Sequence, residues 1–69
     1  MTMKQFIEMG LAYAGLSQTD LAGRLGMSRQ LLSKRIKTGK FSFEELEQIA
    51  HAIGAEFIPR FVFQDGKEV

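Results

Sequence analysis

The chain has 69 residues, 45% of them hydrophobic and 25% charged, which is room for one domain with one core and too apolar a composition for disorder. It contains no cysteine, no apolar run of about 18 residues, and no apolar segment behind Met1-Thr2-Met3-Lys4-Gln5. Disulfide frameworks, thiolate metal sites, membrane spans and a secretory leader are therefore not expected, and a cytoplasmic protein is. The net charge is only +1, but six bases and no acid lie between Leu21 and Phe43, whereas Glu44 to Val69 holds six acids and two bases. Such a dipolar chain has one surface suited to phosphates, the plainer alternative being a solvated helix face.

The first helix starts at a capping box, Thr2 with Gln5 three residues on. Phe6, Ile7, Leu11 and Ala14 follow at helical spacing, and Gly15 is a stop. Ser17 caps the second helix, with Asp20 placed to favour its dipole and Leu16 and Leu21 forming a hydrophobic staple across the cap. Leu21, Ala22 and Leu25 are its buried stripe, and Gly26 ends it. Ser28 caps again almost at once, Met27 and Leu32 repeat the staple, and the third helix runs to about Thr38 before Gly39. Ser42-Phe43-Glu44-Glu45 is a full S-x-x-E box. Phe41 and Leu46 staple it, and Leu46, Ile49, Ala50 and Ile53 make an apolar face that Gly54 terminates.

After Gly54 the period changes to two. Phe57, Phe61 and Phe63 share one face of an extended segment, with Ile58, Arg60 and Val62 on the other. Pro59 lacks a donor and suits an edge strand, and Asp65-Gly66 is a hairpin turn with only three residues beyond it. Either a stubby hairpin forms or the strand pairs with its copy in a second subunit. The expected fold is mainly α: four short helices, a central helix-turn-helix and one C-terminal strand or stubby hairpin. Residues 1–55 form the helical domain and residues 56–69 a dimerisation element presenting Phe57, Ile58, Phe61, Val62 and Phe63.

The second and third helices, joined by a short glycine-containing turn, form a helix-turn-helix unit. Its close crossing needs a small residue, Ala22, and its turn needs the positive φ that Gly26 adopts without strain. The segment QTDLAGRLGMSRQLLS, Gln18 to Ser33, resembles the core of the phage repressor/Cro-like (XRE) helix-turn-helix family, lambda repressor-like in fold. The likeness extends through the fourth helix. It implies a DNA-binding transcription regulator, usually a homodimer on a palindromic operator. The family usually closes its third helix one residue sooner, whereas here Arg35-Ile36-Lys37-Thr38-Gly39 adds a residue, and the usual fifth helix is replaced by the Phe57–Phe63 segment. Both departures resemble a short prophage-type subgroup.

With Leu32 and Ile36 turned to the core, Gln30, Lys34 and Lys37 lie on the opposite face of the third helix, and Arg29 and Gln30 occupy its first turn. Arginine bridges guanine O6 and N7, and glutamine bridges adenine N6 and N7. The resemblance places base contacts at Arg29, Gln30 and Lys34. Gln18 matches a family position that grips phosphate, and Ser28, Ser33, Lys37, Thr38 and Lys40 are further candidates for backbone contacts. Each is otherwise ordinary polar surface, and Arg29 has the alternative of a salt bridge or a phosphate. Leu31 either packs against the fourth helix or meets a thymine methyl.

His51 lacks a second ligand for a metal, and no acid and base, or nucleophile and base, are paired for catalysis. Neither an enzyme nor a cofactor is expected. A chain this small is mostly core, so only minor concavities and no small-molecule ligand are expected. The competing function is a protein-interaction module, such as an antitoxin-like subunit, docking another protein on the strand edge. RNA binding is disfavoured because no aromatic residue lies among the central bases on which to stack a nucleotide.

Overall fold

A computed structural model describes residues 1–69 and contains four helices: α1 (Met3–Ala14), α2 (Gln18–Leu25), α3 (Arg29–Thr38) and α4 (Phe43–Ala52). All four start where a hydroxyl relieves orphan backbone donors. Thr2, Ser17 and Ser42 form reciprocal capping boxes with Gln5, Asp20 and Glu45, and the Ser28 hydroxyl accepts from the Leu31 amide at 3.1 Å. The first three helices stop at Gly15, Gly26 and Gly39, each left-handed. At Gly26 (φ 71°) an added Cβ would touch nothing, so glycine is required there by backbone conformation alone.

The core is one cluster to which every helix contributes: Ile7 and Leu11 of α1, Leu21 and Ala22 of α2, Leu32 and Ile36 of α3, and Leu46 and Ile49 of α4. In α1, α3 and α4 these lie at the three- and four-residue spacings of single helix faces, while Leu21 and Ala22 of α2 are adjacent. Leu21, Leu32 and Ile36 are sealed from solvent at the centre. Leu16, Met27 and Phe41, the residues before three of the caps, pack on the cluster and fix how the chain enters each helix. α2 lies against α3 and α4, and α1 against α3.

The C-terminal segment departs from the expected strand. Val62 and Glu68 form a single antiparallel bridge, flanked on one side by Phe61 and Val69, which exchange both backbone hydrogen bonds at 2.6 and 2.9 Å, and on the other by the Phe63 amide, which donates to the Lys67 carbonyl at 2.7 Å. Pro59 has no amide hydrogen with which to extend the pairing beyond Phe61. Phe57 also does not share the exposure of Phe61 and Phe63. It turns inward, its ring 6.3 Å from Phe6 in an edge-on contact and 6.0 Å from Phe43, while every residue after it is exposed. Phe57 thereby ends the packed body, and the hairpin stands out as an arm. The radius of gyration is 13.1 Å, against about 11 Å for a compact chain of this length, and the extents are 43 × 23 × 19 Å.

Candidate nucleic-acid interface

α2 and α3 are held together from within. Ala22 is buried at their crossing, the Met27 amide donates to the Ala22 carbonyl at 3.0 Å, and Leu21, Leu32 and Ile36 lie beneath. This leaves the far side of α3 to solvent. Arg29, Gln30, Lys34 and Lys37 are all exposed, and none makes a side-chain hydrogen bond or ion pair within the chain. The base-reading candidates Arg29, Gln30 and Lys34 thus occupy one end and one face of a helix whose opposite face is anchored.

The basic run of the sequence divides into two sets. Arg24 donates from Nη1 to the Ala52 carbonyl at 2.7 Å, satisfying the end of α4. Arg35 pairs with Glu45 and lies over the Phe41 ring, 5.1 Å from its centroid, tying α3 to the start of α4. Both arginines therefore serve the fold. The Glu45 carboxyl is held below the usual carboxylate range, first by the Ser42 amide and then by Arg35; Asp20 is lowered chiefly by the Ser17 amide. Arg29, Lys34, Lys37 and Lys40 remain as the unpaired bases of the central run.

Gln18 and Ser33, from different helices, are brought into contact: the Ser33 hydroxyl donates to Gln18 Oε1 at 2.8 Å. That orientation commits the oxygen and leaves the Gln18 amide hydrogens facing outward as donors. Gln18, Ser33, Ile36 and Lys37 line a concavity of about 310 Å³ together with Lys4 of α1. Sequence reasoning missed Lys4, because nothing local links the first turn of α1 to α3. Ser28 uses its oxygen as the helix cap and retains its hydrogen for donation. The Thr38 hydroxyl instead donates to the Arg35 carbonyl at 2.9 Å. Lys40 is exposed after the end of α3, and Leu31 is exposed outside the core cluster.

A family model described as helix-turn-helix matches residues 14–57, well over half of the chain. The chain belongs to the XRE-type helix-turn-helix family. Comparisons with curated proteins and with solved structures return no match. The match begins at the last residue of α1 and ends at Phe57, so it contains the whole helix-turn-helix and α4 and excludes the arm. Membership supports a DNA-binding regulator, and the family is one of DNA-binding domains rather than of enzymes. In this helix-turn-helix, α2 carries the Gln18 end and α3 the exposed Arg29, Gln30 and Lys34. No helix is long and apolar enough to cross a membrane.

On the side of the body formed by α1 and α4 lies a feature the sequence does not announce. Phe6, Met9, Gly10, Leu46, Ile53 and Phe57 are among the residues lining an apolar groove of about 430 Å³. Only minor concavities were expected of a chain this small. Phe57 walls the groove by its contacts with Phe6 and Phe43, and Gly10 lets Ile53 approach so closely that a Cβ would meet its Cδ1 at 3.2 Å.

Proposed function

We propose that the protein is a sequence-specific transcription regulator that binds double-stranded DNA as a homodimer on a palindromic operator, with α3 in the major groove. The observation that carries this reading is the exposed outer face of α3, where Arg29, Gln30 and Lys34 project free of internal partners from a helix fixed on its other side. Arg29 and Gln30, at the N-terminal turn, read purine edges, and Lys34 reads one turn farther along. Gln18, Ser28, Lys37 and Lys40 hold phosphates, with Lys4 beside Gln18 adding a fifth contact. Ser33 acts through Gln18, and Thr38 reaches phosphate by rotating its hydroxyl away from Arg35. Two copies joined through the C-terminal arm, with Phe61 and Phe63 at the contact, place their α3 helices in half-sites about 34 Å apart or a multiple of that. A short prophage-type subgroup within the family accords with the added residue of α3 and with the arm.

The exposed arm and apolar groove favour a second reading, a protein-interaction module on this scaffold. Selection of bound duplexes from a random pool, followed by a salt titration on the winner, separates the two. A regulator enriches a two-fold symmetric sequence whose affinity falls steeply with salt, by a factor on the order of 10³ or more between about 50 and 200 mM if six phosphates or more are engaged. No enrichment at low salt, or binding insensitive to salt, overturns the regulator reading.

A further inference from the structure

The arm has two unlike faces. In the Val62–Glu68 bridge, Arg60 pairs with Glu68 at 2.8 Å on the side of Val62, so Phe61, Phe63 and Val69 share the other side. That second face carries three apolar side chains and one charge, Lys67 opposite Phe63, and nothing covers it: Phe61 is 75% exposed, Phe63 53% and Val69 63%. A lone two-stranded hairpin is marginal in water, and this one projects its apolar face into solvent. The body meanwhile carries the groove of about 430 Å³ between α1 and α4, edged by Phe6 at 44% and Met9 at 60% exposure. Both the unfilled groove and the unseated arm face are apolar, so each gains from being covered by the other.

Resting on the dimer reading above, we infer that the Phe61–Phe63–Val69 face of each copy's arm seats in the α1/α4 groove of a second copy, so that two arms are exchanged about a two-fold axis. Area supports a second copy as the occupant. The exposed parts of Phe6, Phe61 and Phe63 together amount to nearly two whole phenylalanine side chains, on the order of 350 Å². Met9 and Val69 bring the total close to the upper end of the about 300–600 Å² patch found on ordinary monomers. Because every copy contributes both an arm and a groove, each buries both surfaces. With Met1, which also lines the groove and is 84% exposed, this approaches the about 800 Å² per partner of a standard interface. Phe57 then has a defined place, as the wall that joins one copy's groove to the root of its own arm. The exchange also leaves the outer face of α3 uncovered, since none of Arg29, Gln30 and Lys34 lines the groove.

Sedimentation equilibrium on the full chain and single variants tests the exchange. Met9→Glu, at an exposed position outside the core, and Phe61→Ala each weaken self-association by roughly tenfold or more, while Val62→Glu, on the opposite face of the arm, changes it by less than about threefold. A Val62→Glu effect exceeding that of Met9→Glu overturns the groove and indicates arms paired edge to edge. Because the native chain has no cysteine, mixing Met9→Cys chains with Phe61→Cys chains under oxidation gives a second readout. A mixed disulfide supports exchange; a predominant Val62→Cys homodimer, or closure of the double variant within one chain, overturns it. A native chain that is monomeric at about 100 µM fails the dimer reading itself, a result distinct from a dimer insensitive to Met9→Glu.

Discussion

At the scale of single residues, the proposed interface separates groups that would read bases from groups that would hold phosphates. Gln30 is exposed, in the first turn of α3, and has no partner in the chain, so its amide is available for bidentate contact with adenine. Gln30→Ala is expected to relax preference at one operator position and to cost about 1–3 kcal/mol there, measured by competition among operators differing at a single base pair. Unchanged discrimination removes Gln30 from the reading set. Ser33→Ala acts differently, because the Ser33 hydroxyl holds the Gln18 oxygen and thereby aims the amide hydrogens. The loss is expected to be about 0.5–1.5 kcal/mol on every sequence alike, with an unaltered salt slope because no charge is removed. Lys37→Ala, at the same concavity, is expected to weaken all sequences and to lower the slope by about one. Equal slopes for the Ser33 and Lys37 variants would contradict this division.

At the scale of elements, the helix ends were legible in the sequence because the forces that set them are local. Thr2, Ser17, Ser28 and Ser42 each act within three residues, and all four are caps in the structure. The roles of Arg24 and Arg35 were not legible: their partners, Ala52 and Glu45, lie 28 and 10 residues away, so a basic run that looked uniform divides between fold and surface. Phe57 was misplaced for the same reason, since alternation groups it with Phe61 and Phe63 whereas packing with Phe6 and Phe43 turns it inward. The α3–α4 connection has a pH consequence. Glu45 is held below its ordinary range by the Ser42 amide and then by Arg35, so its unfolded state binds a proton at higher pH than its folded state. The resulting stabilisation is present above the unfolded value of about 4.3 and is lost as pH falls through the lower folded value. Glu45→Gln retains an acceptor for the Ser42 amide but not the charge. Denaturant melts are expected to show the variant less stable than the native chain at about pH 7, with the difference narrowing as pH falls through the titration of the folded-state carboxyl. A difference independent of pH would mean that the Glu45 charge contributes nothing.

At the scale of the whole molecule, the proposed regulator divides the work between a DNA-binding body and the arm that protrudes from it, and the boundary between them lies after Phe57. A chain ending at Ala55 would lose the arm and, with it, the ring that contacts Phe6 and Phe43, so weakened DNA binding there would mix damaged packing with lost association. A chain ending at Pro59 keeps Phe57 and removes only exposed residues. It is expected to retain the helical circular dichroism of the full chain, to sediment as a monomer, and to keep weak, salt-dependent binding to a single half-site. What it loses is the gain from linking two half-sites. A tethered second contact raises overall affinity by about 10²–10⁴ without any new residue touching DNA, so the shortened chain should fall short on the full palindrome by a factor of that order. On an isolated half-site the two chains should bind almost equally. Equal binding to the full palindrome would show that α3 reads DNA one copy at a time and that the arm serves another contact. A loss of the same size on the half-site would instead make the arm part of the DNA-binding surface itself.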